Sequence, residues 1–323
     1  MFVNAFNGFS MAVADSVPGV SGGTIAFILG FYDKFINALH DAASRDKKLR
    51  DTAIAYLAKL AVGWVLGMGL SLVVLSKLFE SHIYFMSSIF LGLTAASIPF
   101  IIKSEKKELT GKYKNLVFAL LGFALVAGLT WFRASGSTAI TINYLALGPL
   151  QYLYLLLTGM LAISAMILPG ISGSTFLLIL GVYVPTISAV KELLSLNFTV
   201  LPGLITLGIG ILLGVAISIR FIRSALKNHR SRMIYLILGL ITGSLYAIVM
   251  GPTTLTIPQV PLSFSRFSII GFILGIAILL GLEAVRKHTE QQEQEIEDEK
   301  IETVKRRRSE KYLQIKNDHQ PIR

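Results

Sequence analysis

The stretch ADSVPGVSGGTIAFILGFYDKFINAL, residues 14–39, recurs as AMILPGISGSTFLLILGVYVPTISAV, residues 165–190. Twelve of the 26 positions are identical, among them Pro18/Pro169, Gly19/Gly170, Ser21/Ser172, Gly22/Gly173, Thr24/Thr175, Gly30/Gly181 and Tyr32/Tyr183. Each copy lies inside a long apolar run, 2–40 and 150–190. Proline removes a backbone donor and clashes with the preceding turn, so neither run is one straight helix. Each reads as two shorter helices meeting at a Pro-Gly break. The repeat continues at an offset of 147, where Gly63, Gly67, Ser71, His82 and Ser97 meet Gly210, Gly214, Ser218, His229 and Ser244. At an offset of 149, Gly122-Phe123 meets Gly271-Phe272. Three blocks kept in order indicate duplication of half the chain.

The rest of the sequence says where such a design lives. Of 323 residues, 53% are hydrophobic and 15% charged, against about 25% charged in soluble domains. Mean hydropathy is +0.66. Six further stretches, 54–76, 84–102, 115–133, 201–221, 233–250 and 267–285, have the roughly 20 mostly apolar residues that a membrane helix needs. No cleavable leader is expected, because the first apolar stretch lacks a basic start and an A-x-A site. Zero cysteines exclude disulfides, thiol nucleophiles and Cys-based metal sites. The net charge of +11 sits beside the spans, where topology rather than nucleic acid accounts for it. Lys and Arg alternate between rich and poor loops. Segment 41–53 holds four, 103–114 five and 220–232 five, and the tail after Val285 holds ten. The loops between hold one each: Lys77, Arg133, Lys191 and Arg266. The alternation is unbroken when each Pro-Gly region makes no net crossing or two. By the positive-inside rule the rich side, with the C-terminus, is cytoplasmic.

The fold class expected is therefore an all-α polytopic membrane protein. It is built of two inverted repeats, each a broken or re-entrant helix hairpin plus three transmembrane helices. An odd number of crossings per half inverts the second half, the architecture of many secondary transporters, whose site lies where discontinuous helices of the two repeats meet. Residues 1–149 form the first repeat, 150–285 the second, and 286–323 a charged cytoplasmic tail. In the tail, seven acids within 290–302 precede Lys305, Arg306, Arg307, Arg308 and Lys311. It reads as a solvated segment, with contact to anionic lipid as the alternative.

Both breaks share P-G-[VI]-S-G-[GS]-T. Pro18-Gly19 and Pro169-Gly170 interrupt the helix, and glycine lets backbone approach a ligand. The residues that follow, Ser21, Gly22, Gly23 and Thr24, and Ser172, Gly173, Ser174 and Thr175, offer hydroxyls and free N–H groups at a helix start, which suits an anion such as phosphate. Tight turns buried among helices are the plainer reading of a single such break, but duplication favours a site. Asp15 is an intramembrane carboxylate, functional by default. It either carries a coupling proton or sodium ion or caps the break beside it. Its counterpart is Met166. Asp33 and Lys34 either snorkel to the interface or pair with each other. Arg220 and Arg223, three apart on one helix face, would attract an anionic headgroup weakly. His82 and His229 read as interfacial pH sensors or as tolerated loop residues. The G-x-x-x-G pairs 63/67, 210/214, 239/243 and 271/275 read as helix packing. No H-E-x-x-H, G-x-S-x-G or P-loop pattern occurs. Catalytic residues, metal and cofactors are not expected.

The two signature segments, with HRSRMIYLILGLITGSLY at 229–246, resemble the polyprenyl-phosphate transporters of bacteria and archaea, long classed as a domain of unknown function. The resemblance covers residues 1–285. It carries the family's motif onto Asp15, Ser16, Pro18, Gly19, Ser21, Gly22, Gly23 and Thr24, and onto Pro169, Gly170, Ser172, Gly173, Ser174 and Thr175. It implies movement of undecaprenyl phosphate from the outer to the inner leaflet of the cytoplasmic membrane, for reuse in cell-wall synthesis. A secondary transporter of a small soluble anion is the alternative. A membrane phosphatase is a third reading, without residues to support it.

Overall fold

The computed structural model describes residues 2–16, 21–134, 142–170, 173, 176–177, 180–254 and 259–284. Among them the chain is all-helical. Helices α1 (Phe2–Asp15), α2 (Gly22–Ile28) and α3 (Tyr32–Asp41) make up the first broken region. Then come α4 (Lys47–Ser104), the single turn α5 (Lys106–Leu109) and α6 (Leu116–Ala134). The second half follows with α7 (Pro149–Ile167), α8 (Tyr183–Leu194), α9 (Leu201–Asn228) and α10 (Arg230–Met250). An apolar helix, α11 (Ile269–Ala284), closes the described chain. Residues Met1–Leu279 form one compact unit, and Leu280–Arg323 a second that is described only as far as Ala284.

Six helical segments are long and apolar enough to cross a bilayer: Lys47–Ser71, Ser81–Ser104, Tyr113–Phe132, Pro149–Ile167, Phe198–Asn228 and Arg230–Thr253. Five match expected spans. The sixth is the first arm of the second broken region rather than 267–285, which is described only as the shorter helix α11. At 1.5 Å per residue the 19 residues of α7 reach about 28 Å, near the hydrocarbon thickness, whereas the 14 of α1 reach about 21 Å. Ser81–Ser104 and Arg230–Thr253 are central, 56% and 61% buried. Tyr113–Phe132 is peripheral at 17% and turns Leu120, Leu121 and Trp131 outward. Such an apolar exterior suits lipid.

Helix α4 runs from an Asp46 cap, whose carboxylate accepts from Lys48 N at 2.9 Å, through a kink at His82 (φ −137°, ψ 43°). His229, its repeat counterpart, separates α9 from α10 with φ −137° and ψ 42°. The paired histidines thus mark one backbone corner used twice.

Each broken region is interrupted twice rather than once. Gly30 ends α2 at φ 74°, with Phe31 N donating to Ala26 O at 3.0 Å and Gly30 N to Phe27 O at 3.1 Å. This pair of bonds closes a helix on a left-handed glycine. Gly181, at φ 69°, stands in the same place, with Val182 N donating to Leu177 O at 2.9 Å. Sequence periodicity runs across both glycines because the flanking residues are apolar on either side.

Packing repeats as well. A Cβ on Gly63 would lie 1.7 Å from Ala5 O, and one on Gly210 would lie 2.2 Å from Leu156 O, so α1 meets the first part of α4 as α7 meets α9. A Cβ on Gly92 would meet Phe272 O at 2.1 Å, and one on Gly239 would meet Ala119 O at 2.0 Å. The last span of each half therefore lies against the central span of the other half. These contacts register Ala119 with Phe272 and Gly122 with Gly275, whose partners are Leu236 and Ile89. The matching glycine for Gly122 is thus Gly275 rather than Gly271. The Gly-Phe identity at 122–123 and 271–272 lies four residues out of the packing register.

Candidate functional site

The two breaks meet. Ser21 sits in extended backbone (φ −127°, ψ 142°) ahead of α2. Its hydroxyl does not cap that helix but donates across the seam to Leu168 O at 3.3 Å. Thr24 Oγ1 accepts from Gly170 N at 2.8 Å. Tyr32 donates its hydroxyl to Ile167 O at 3.2 Å. Ser21 is 0% and Thr24 1% exposed, so both hydroxyls are committed in the dry interior. Unpaired polar groups there would cost several kcal/mol by the water-to-hydrocarbon scale of roughly 2–7. The polar residues of the first break thus satisfy backbone freed by the second. Gly23 lies so close that a Cβ there would meet Ile167 O at 2.9 Å.

Asp15, the last residue of α1, reaches past the break to accept from Gly22 N at 2.7 Å. Trp64, from α4, donates its indole N–H to the other oxygen at 3.2 Å. Of the two readings of Asp15, the capping geometry is thus present. The carboxylate takes a helix-start amide that an anionic ligand would otherwise find. Gly22 and Gly23 are buried at the seam. In the second break Gly170 adopts φ 89° against Leu240, and Gly173 packs on Ala162 and Met166. Pro169 lies between these partners, while Pro18, Gly19, Ser172, Ser174 and Thr175 fall outside the described residues.

A second polar cluster forms where three Lys/Arg-rich segments converge. Arg230, at the start of α10, donates to Asp33 Oδ2 at 2.8 Å and to both carboxylate oxygens of Glu105. Arg223 donates to Asn37 Oδ1 at 2.8 Å and contacts His40 Nδ1, with Asp41 3.6 Å away. Asp33 therefore pairs with Arg230 rather than with Lys34, whose ammonium stands 5.1 Å from the Tyr56 ring centroid. Arg220 is exposed and stands apart from this cluster. The Arg133 side chain and the tail fall outside the described residues. On the Lys/Arg-poor side Arg266 bonds the Tyr84 hydroxyl. Rich segments thus meet rich, and poor meet poor.

Sequence reasoning missed Trp64, Tyr32 and Arg230. Trp64, one of two tryptophans in the chain, stands in mid-span, and its polar tip is the available signal. Arg230 reads in the sequence only as a topology marker.

An all-helical, multi-pass membrane protein with two touching helix breaks in duplicated halves belongs among membrane proteins that carry solutes or lipids on discontinuous helices. The chain matches the undecaprenyl phosphate translocase-like family over residues 11–263, and it belongs to that family. It is 32% identical over 299 residues to a polyprenyl-phosphate transporter of Staphylococcus aureus (strain NCTC 8325 / PS 47), covering 90% of this chain and 98% of the relative. It is 31% identical over 248 residues to a polyprenyl-phosphate transporter of Vibrio cholerae serotype O1 (strain ATCC 39315 / El Tor Inaba N16961), covering 74% of each. No solved structure matches it.

Proposed function

We propose that the protein carries a polyprenyl phosphate, undecaprenyl phosphate, from the outer to the inner leaflet of the cytoplasmic membrane, returning it to cell-wall synthesis. The observation that carries this reading is the hydrogen-bonded seam between the breaks, centred on Thr24 and Gly170. The names of the bacterial relatives support the substrate. The lipid tail gains about 0.8 kcal/mol per buried CH₂ and stays in the bilayer. Only the phosphate needs a path, since a bare charge in hydrocarbon is very costly.

In this mechanism the described structure is the closed state. The seam opens, and phosphate oxygens replace the partners that Ser21 and Thr24 find in the other break, with Ser172, Ser174, Thr175 and the glycines 22, 23 and 173 completing the lining. Inverted halves, 1–149 and 150–285, rock to expose that lining to one leaflet and then the other. The residues after 285 are a cytoplasmic tail. Asp15 stands at the seam and would repel a phosphate while ionised. A proton or sodium ion arriving on it removes that repulsion, which couples the ion to the lipid. No catalytic group takes part.

The test is movement of lipid. Liposomes carrying the purified chain and a labelled polyprenyl phosphate are treated outside with a phosphatase. Wild type is expected to make the inner-leaflet pool accessible, and a rate equal to protein-free vesicles overturns the reading. Uptake of a soluble anion without lipid movement would favour the small-anion transporter. Ser21→Ala combined with Ser172→Ala is expected to weaken lipid-phosphate affinity about tenfold, by analogy with the loss of charge-assisted hydrogen bonds, in a chain that still folds but melts lower, because Leu168 O loses its partner. Unaltered affinity would remove these hydroxyls from the path.

A further inference from the structure

Between α3 and the Lys/Arg-rich segment 220–232 lies an open pocket of about 280 Å³, lined by Asp33 and Asn37 from α3 and by Arg223, Lys227 and Arg230 from α9 and α10. Three cations face one carboxylate across this space. Both arginines are held by neighbours, and His40 and Asp41 also stand beside Arg223 Nη1. Glu105 takes two N–H groups of Arg230, and Asn37 takes Arg223 Nε. A guanidinium fixed this way presents its remaining donors in a set direction, the arrangement that suits a planar or tetrahedral oxyanion. Lys227 is exposed on the rim and makes no ion pair among the described residues. Asp33 is poorly satisfied by contrast. One oxygen pairs with Arg230, but Oδ1 is buried with no hydrogen-bond partner. A carboxylate held on one side only is a weak occupant of a cationic site, readily exchanged for a better anion.

The duplicated scaffold supplies a control inside the molecule. By the offsets that align the halves, Asp33 corresponds to Val184, Asn37 to Ser188, Arg223 to Ser76, Lys227 to Glu80 and Arg230 to Ile83. In the sequence, every charge of the pocket is absent or reversed at the aligned position. The charge set is therefore particular to one copy of the repeat.

We propose that this pocket is a phosphomonoester site, in which Lys227, Arg223 and Arg230 hold the dianion and Asp33 is released from Arg230 as it enters. The proposal rests on the polyprenyl-phosphate reading and names where the headgroup is held at the Lys/Arg-rich mouth. Because Asp33 lies on α3, the arm that leaves the first break, anion entry also breaks its ion pair with α10, while Asn37 still ties α3 to Arg223 of α9.

The test uses the full chain in detergent, with farnesyl phosphate (a prenyl monophosphate short enough to disperse in micelles) and inorganic phosphate as probes, followed by calorimetry. Farnesyl phosphate is expected to bind wild type. Lys227→Ala should weaken it about tenfold, the worth of one charge-assisted contact. Asp33→Asn should tighten it several-fold, since a competing carboxylate is removed. Opposite signs from two charge-removing variants are not expected of a merely structural cluster. Melting temperatures of both variants should stay near wild type. Competition by inorganic phosphate at equal concentration assigns the pocket to the bare anion. Failure to compete, with the variant effects intact, assigns it to the lipid headgroup. Wild-type affinity in both variants, or weakening by Asp33→Asn, overturns the site. The two readings fail separately. Absent lipid movement with the Lys227→Ala effect intact defeats transport alone, and intact movement with unaltered variant affinities defeats the pocket alone.

Discussion

Asp15 is a carboxylate where the second copy of the repeat has Met166. It accepts from the amide of Gly22 and the indole of Trp64. A phosphate brought to the seam would face that charge at close range in a medium of low polarity, where like charges repel by several kcal/mol even at an effective dielectric constant of ~20. A proton on Asp15 removes the conflict. Wild-type transport is therefore expected to fall as pH rises and Asp15 ionises. In Asp15→Asn the amide oxygen still accepts from Gly22 N, and the charge is gone at every pH. The pH dependence should flatten while the folded fraction stays high, read by the liposome assay across pH and by size exclusion. A pH profile of normal shape in Asp15→Asn would leave this carboxylate a cap and nothing more.

The helices owe their close approach to glycine at matched places, and one pair makes a sharp comparison. Gly63→Ala must push a methyl into the carbonyl of Ala5, so α1 and α4 must separate, at a cost of about 2–3 kcal/mol. At Gly69, on the same helix, a Cβ would have nothing within 4 Å of it. There the better helix propensity of alanine is worth up to about 1 kcal/mol of added stability. Thermal unfolding in detergent should show the first variant lowered and the second level or raised. The interhelical glycine spacing was legible in the sequence, as were five of the spans and the location of both breaks, because proline and long apolar runs act locally. The second interruptions at Gly30 and Gly181 were not. A left-handed glycine between apolar residues leaves the hydrophobic pattern unbroken. The register of the last spans was also hidden, since Gly122 answers Gly275 through contacts with the other half, and sequence identity at 122–123 points four residues away. Ser21 and Thr24 were readable as polar groups at a break. Their partners at 168 and 170 were not, because only the folded chain brings the copies together.

The molecule as a whole joins its halves in three ways: exchanged last spans, the seam of the two breaks, and the charged cluster at the Lys/Arg-rich mouth. The exchanged spans meet through backbone contacts too close to tolerate a side chain. The seam and the mouth are held by a few hydrogen bonds and ion pairs. Exposed or half-exposed pairs are worth ~1 kcal/mol or less, and a neutral hydrogen bond about the same. Those are the weaker contacts, and in the proposed mechanism they are the ones that open and reclose. The absence of cysteine from the chain makes the point testable without background. Ser21→Cys with Leu168→Cys puts one thiol on each break, next to the place where the native Ser21 hydroxyl meets the Leu168 backbone carbonyl at 3.3 Å. Bridging them with a short bifunctional thiol reagent should stop polyprenyl-phosphate movement, and a reductant that cleaves the bridge should restore it. Each single variant, whatever its own starting rate, should lose nothing further on treatment with the reagent. Transport that continues at full rate across the bridged seam would mean that the breaks never part, and the phosphate would have to cross by another route.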